Sequence, residues 1–314
     1  MEHYHTAQAL KSQERNDMSD IPERQNQTDA LQYLAAQRQL YDEDKRWTLI
    51  WLIVTVGVAI LGTGALVIFA SHIALITWIL LVITAIELFF LPSTRSQRVN
   101  AAGIQELFDC QVLDLEWNDA LADRPDPKVI ELAVERFNKR KDRDLAWEDL
   151  RDWYESPAIS TATMNEARLI CQRENIVWDA KQRSQLFNRL VVATGGFVAV
   201  LVSVTVILHW RIDQLLSGPI LLIIPLIVAL MRYASEHRTA AERLGRLQAV
   251  VNAILKDAGR PDADSVNITQ QTRNVQNEIY RHRRDYVPVP NWIFEKFRKE
   301  NSPPSALQNV SERS

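Results

Sequence analysis

Arg168, Gln172, Asn175 and Asp179 recur at i, i+4, i+7 and i+11, the spacing that places side chains on one face of an α-helix, and Arg173 stands just off that stripe. A guanidinium with two amides suits phosphates and base edges, whereas ordinary solvated faces favour Lys and Glu. The stripe is therefore open to two readings, a ligand-binding face or a solvated one. A second group, Arg281, Arg283 and Arg284 with His282, is flanked by Tyr280 and Tyr286. Guanidiniums beside aromatic rings suit a nucleotide, an anionic lipid or a solvated charge run, and the residues alone leave all three open.

Catalysis has no comparable foothold. The chain contains no Gly-rich phosphate loop, no G-x-S-x-G and no H-E-x-x-H, and its six histidines are scattered. No catalytic residue, metal-ligand set or cofactor is expected, and the chain does not read as an enzyme. Cys110 and Cys171 form no C-x-x-C pair, so both are expected as thiols in a reducing compartment. A net charge of −3 argues against general DNA or RNA binding.

These groups must be positioned by long helices, because the chain is cut by two apolar stretches, 47–91 and 190–231. A bilayer core of about 30 Å needs roughly 20 helical residues at about 1.5 Å each, so each stretch holds two spans. The runs 47–70 and 73–91 carry a single charge, Glu87, and the runs 190–210 and 215–231 carry none. Reversals are expected near Ser71 and His72, and at Arg211, Asp213 and Gln214. Lys45, Arg46, Arg95, Arg98, Arg183, Arg189, Arg232 and Arg238 flank one side of the spans, and Arg211 alone flanks the other. By the positive-inside rule both termini are expected to be cytoplasmic. Glu87 lies where snorkelling, pairing with Arg95 or Arg232, or a gating role are all available, and Pro219 and Pro225 can shape the fourth span.

The resulting expectation is a mainly α membrane protein with four transmembrane helices in two hairpins. A mostly helical cytoplasmic domain accompanies them, with at most a small β element. A mobile segment, 1–20, precedes a cytoplasmic helix, 21–46, and the first hairpin, 47–91. A sensor region, 92–189, leads to the second hairpin, 190–231, then a cytoplasmic region, 232–300, and a mobile tail, 301–314. Within the sensor region, 95–106 reads as helix, and 107–117 as a strand because apolar and polar residues roughly alternate. Pro127 starts a helix carrying Val129, Ile130, Leu132, Ala133 and Phe137. Thr163 and Glu166 form a capping-box pattern, and no proline or polar turn interrupts 164–210, which predicts one rod of about 45 residues, near 70 Å. Leu244, Leu247, Val250, Val251, Ile254 and Leu255 form an apolar stripe on a later helix, which Gly259 and Pro261 end.

Four stretches carry a family resemblance: the helix with Gln25, Asn26, Leu31, Ala36, Arg38, Leu40, Tyr41 and Lys45; I-Q-E-L-F-D-C-Q-V-L-D-L-E-W-N at 104–118; Trp153 with Tyr154; and A-R-L-I-C-Q-R-E-N-I-V-W-D at 167–179. They resemble the SMODS-associating four-transmembrane effectors of bacterial cyclic-oligonucleotide antiphage signalling (CBASS). The resemblance runs from about residue 21 to about 256, and none is apparent beyond Arg260. It implies a pore-forming effector of abortive infection, silent until a neighbouring nucleotidyltransferase makes a cyclic oligonucleotide. Binding of that messenger to the cytoplasmic part then makes the spans permeabilise the membrane. Membrane lipid and further copies of the chain are the other expected partners. The competing reading is a constitutive membrane scaffold, or a channel gated by another signal.

Overall fold

Side-chain capping by Asp126, Thr163 and Asp264 marks where three of the described helices begin. The computed structural model describes residues 18–68, 79, 82, 93–207, 219–260 and 264–301. Over these residues the elements are α1 (Ile21–Arg24), α2 (Thr28–Ile68), α3 (Ser93–Val112), α4 (Pro127–Asn138), α5 (Arg143–Glu148), α6 (Met164–Ile207), α7 (Pro219–Ala258), α8 (Ser265–Asp285) and α9 (Asn291–Asn301). Asp126 caps α4 by accepting the Lys128 amide at 2.9 Å, and Pro127 occupies the first turn, where its missing N–H has no role. At the start of α6 the capping box closes reciprocally: the Thr163 amide donates to Glu166 Oε2 at 3.2 Å, and the Glu166 amide to Thr163 Oγ1 at 3.4 Å. From there α6 runs 44 residues without a break, as the sequence leads one to expect.

The expected strand at 107–117 is not formed. Helix α3 continues through Val112, and the described residues contain no strand, only an isolated bridge between Met18 and Thr163. The alternation arises because Glu106 and Asp109 are buried on the same helix as Ile104, Phe108 and Val112, so acids stand where a helical stripe would carry apolar residues. After α3 the chain turns at Asp114, whose φ of 52° is left-handed, a region that Asp tolerates better than most side chains. Asp152, with φ 50°, makes the corresponding turn after α5, where the Asn26 side chain accepts its amide at 3.1 Å and donates to its carboxylate at 2.8 Å.

The chain divides into two units. The first comprises residues 1–41, 98–180 and 242–285, and three apolar clusters hold it together. In one, Leu34 of α2, Phe108 of α3, Phe137 of α4 and Cys171 of α6 pack with Leu150 and Tyr154. In another, Ala36 and Leu40 meet Ala101, Ile104 and Ala133. The third joins Leu169 and Ile176 of α6 to Leu244, Val251 and Ile254 of α7 and to Ile268, Val275 and Ile279 of α8. Apart from the exposed Val250, the apolar stripe on α7 is thus a packing face.

The second unit comprises residues 42–97, 181–241 and 286–314. Its described core is a small cluster of Leu186, Val289 and Ile293, with Leu190 and Tyr233 against it. The expected reversals at Ser71 and His72 and at 211–214, the segment 1–17, Glu87 and the tail after Asn301 lie outside the described residues.

Candidate functional site

Within the first unit, α3, α6 and α8 meet along a polar seam. Glu106 and Asp109 stand one turn apart on α3, 3 % and 0 % exposed. From α8, Gln276 donates to both carboxylates at 2.8 Å, Arg273 pairs with Glu106, and Arg283 pairs with Asp109. Arg273 also donates to the Glu116 carbonyl at 2.9 Å and to Cys110 Sγ at 3.2 Å. The Tyr154 hydroxyl donates to Asp109 at 2.9 Å and accepts from Asn175 of α6 at 3.1 Å. Gln172 of α6 donates to the Thr272 carbonyl at 3.0 Å and to Gln276 Oε1 at 3.1 Å, while its own Oε1 is buried with no hydrogen-bond partner among the described residues. Further along, His282 Nε2 lies 2.8 Å from Asp179 Oδ2.

Electrostatics follow from that burial. Desolvation pushes the Glu106 carboxyl up against the pull of Arg273, and Asp109 nearby adds to the upward shift. Desolvation likewise lifts the Tyr154 hydroxyl far above the usual phenol range, so it is a committed donor to Asp109. For Arg283, burial works against the charge and the Asp109 carboxylate outweighs it, leaving the guanidinium firmly protonated. Two acids and two guanidiniums thus neutralise one another out of water, the condition under which buried charges are tolerated.

The sequence stripe on α6 meets this seam. Gln172, Asn175 and Asp179 bond to α8 or Tyr154, as above. Arg168, 7 % exposed, donates to the Leu113 carbonyl at 2.6 Å and to the Asp114 carbonyl and carboxylate at 2.7 and 3.0 Å, locking the left-handed turn. Arg173 is exposed and apart from them. Of the second cluster, Arg283 enters the seam, whereas Arg281 pairs with Glu278, and Arg284 pairs with Asp285 at 2.8 Å and lies over the Tyr280 ring. Pro219 is the first residue of α7 and Pro225 lies within it. Sequence reasoning passed over Glu106, Asp109, Arg273 and Gln276. The available signal was two acids three residues apart, set among Ile104, Leu107, Phe108, Val112 and Leu113.

A basic cleft of about 200 Å³ opens between α7 and α8, next to the seam. Arg243, Arg246 and His282 line it over Leu247 and Val250, and its single acid is Glu278. That carboxylate is held from both sides, by Arg243 at 2.6 Å and by Arg281. The Arg243 hydrogen bond holds the Glu278 carboxyl below the usual carboxylate range. A wider cleft of about 570 Å³ around Trp147 has balanced charge, Arg143 and Arg151 against Asp144 and Glu148, and is less suited to an anion.

The family model for the SMODS-associating 4TM effector domain matches residues 19–306. The chain belongs to this family. No curated protein and no solved structure matches it. The family match extends through α8 and α9, beyond the part of the sequence in which the resemblance is legible by eye.

In this SMODS-associating effector, no helix of the described residues is long and apolar enough to cross a membrane. Each of the four apolar runs is interrupted by residues whose side chains lie outside the described set. Many of the described side chains in the runs face outward: Ile53 and Leu61 on α2, Val192, Val200, Val206 and Ile207 on α6, and Ile224 and Val228 on α7 are each more than half exposed, although Thr194 and Leu226 are buried. Exposed apolar patches of this kind mark interaction surfaces.

Proposed function

We propose that this effector is a ligand-gated membrane permeabiliser in which the first unit is cytoplasmic and senses a cyclic oligonucleotide. The observation that carries the output half is the outward-facing aliphatic surface on α2, α6 and α7, on helices whose other ends are packed into the first unit by ordinary cores. In this reading 47–91 and 190–231 are the transmembrane hairpins of a bacterial inner-membrane protein that works as a homo-oligomer. A neighbouring nucleotidyltransferase supplies the messenger.

The input half is assigned to the cleft between α7 and α8. Arg243 and Arg281 grip Glu278 as they would grip a phosphodiester, with Arg246 beside them and Leu247 and Val250 as an apolar floor for a base. In the resting chain Glu278 fills the place of the anion. A cyclic di- or trinucleotide displaces it, and the displacement moves α8. Because α8 carries Gln276, His282 and Arg283, its movement reaches Asp109 on α3 and Gln172 and Asp179 on α6 through bonds already named. A switch from mostly closed to mostly open needs a preference of about 5.5 kcal/mol for the open state, within reach of several charge-assisted bonds.

The test separates sensing from execution. Calorimetry of the purified full chain against a panel of cyclic di- and trinucleotides is expected to find one binder, and Arg246→Ala to weaken it. Addition of that binder to dye-loaded vesicles bearing the protein is expected to release dye. Absence of binding across the panel removes the sensor assignment, and binding without leakage removes the permeabiliser. Leakage that needs no nucleotide favours a constitutive channel.

A further inference from the structure

Within the second unit, the segment that follows α8 touches three separate helices. Asn291, at the start of α9, donates to Asp42 at 2.8 Å and accepts from Lys45 at 2.7 Å, both on α2, and Lys45 also sits over the Phe294 ring. Val289 and Ile293 bury themselves, 6 % and 0 % exposed, against Leu186 and Leu190 of α6 and Tyr233 of α7. Arg183 of α6 donates to the Val287 carbonyl at 3.0 Å, lies over the Tyr286 ring and approaches His237 of α7 at 3.2 Å. The Val287 amide donates to Glu236 of α7 at 3.3 Å, and Arg189 of α6 lies over Trp292.

We infer that residues 286–296 form a clasp that holds α2, α6 and α7 in the resting arrangement. Val289 and Ile293 supply two of the three buried side chains in the cluster that joins α6 and α7 here, Leu186 being the third. The polar contacts are of the directional kind that fix register: one amide side chain satisfied by an acid and a base on α2, and one guanidinium shared between a carbonyl and an imidazole. The clasp begins at Tyr286, immediately after Asp285 ends α8. A shift of α8 therefore pulls on the clasp through a single peptide bond. The three gripped sites lie just ahead of Trp47, Val191 and Val192 and just after Met231, where exposed apolar side chains begin. Holding the helices at this level holds the apolar segments that follow.

The inference rests on the membrane reading for its consequence, though not for its geometry, and the experiment keeps the two apart. The full chain carrying Asn291→Ala and Ile293→Ala is reconstituted in phosphatidylethanolamine and phosphatidylglycerol vesicles, with spin labels introduced through Trp47→Cys and Val192→Cys. Release of the clasp is read as faster proteolysis within 286–296. The α2 to α6 distance distribution reads the arrangement of the helices, and dye efflux without added nucleotide reads permeation. The expected result is release, a broadened distance distribution and a several-fold rise in efflux. Release with distances unchanged overturns the clasp, and so does unaltered proteolysis. Altered distances without efflux leave the clasp standing and remove the permeabiliser.

Discussion

Asp109 on α3 and Arg283 on α8, 174 positions apart in the chain, form an ion pair in which the carboxylate is fully buried. Such a pair contributes little net stability when intact, because desolvation offsets attraction, yet removing one partner strands the other. Arg283→Met is expected to cost about 3–5 kcal/mol in unfolding free energy, and the double change Asp109→Leu with Arg283→Met to recover most of it. Thermal unfolding of the four proteins of the cycle decides this, and independent, additive losses would contradict it.

Glu106 makes the seam sensitive to pH. Burial raises its folded-state pKa above the ordinary value of 4.5, so the folded chain holds this proton more tightly than the unfolded chain. The stability tied to that proton is fully present below the ordinary value and is lost as pH rises through the raised one. Across that window the parent is expected to show a more negative slope of unfolding free energy against pH than Glu106→Gln. Equal slopes would mean that the carboxyl is not held as described.

Both thiols are expected to be inert in the folded protein. Burial pushes Cys110 up to about 12 from an ordinary 9.0, which lowers its thiolate about a thousandfold, and lifts Cys171 well above its ordinary value. Alkylation by iodoacetamide at mildly alkaline pH, followed by mass spectrometry, should label neither until denaturant is added. Rapid labelling of Cys110 under native conditions would show that its site is open to solvent.

If Glu278 competes with a ligand for Arg243 and Arg281, neutralising it should favour the ligand. Glu278→Gln is expected to bind an activating cyclic nucleotide more tightly than the parent, whereas Arg243→Ala weakens binding. Calorimetric titration gives both constants. Weaker binding by Glu278→Gln would make that carboxylate a ligand contact or a structural support, not a competitor.

What could be read from the sequence depended on whether buried faces were apolar. Helix α6 was legible because its capping box opens it and no proline interrupts it. The α7 stripe was legible because its buried positions are Leu, Val and Ile. Helix α8 was not, since Thr272, Gln276 and His282 share its buried face with Ile268, Val275 and Ile279, so no apolar period stands out. The same property turned the end of α3 into an apparent strand. The candidate site was legible in part. The polar stripe on α6 could be named, but its partners 100 and more residues away could not, because nothing local marks Gln276 or Arg273 as inward-facing.

The seam also limits how α8 can travel. An apolar face slides with small changes in contact, whereas Gln276, Arg273 and Arg283 meet Glu106 and Asp109 in only one alignment. A slip of one residue, about 1.5 Å, would leave two buried acids facing groups that cannot satisfy them. Helix α8 is thus held as in a detent: small displacements from this alignment are penalised, because they strand buried charge. On the proposed reading of the cleft, a signal there acts on a helix that resists small shifts.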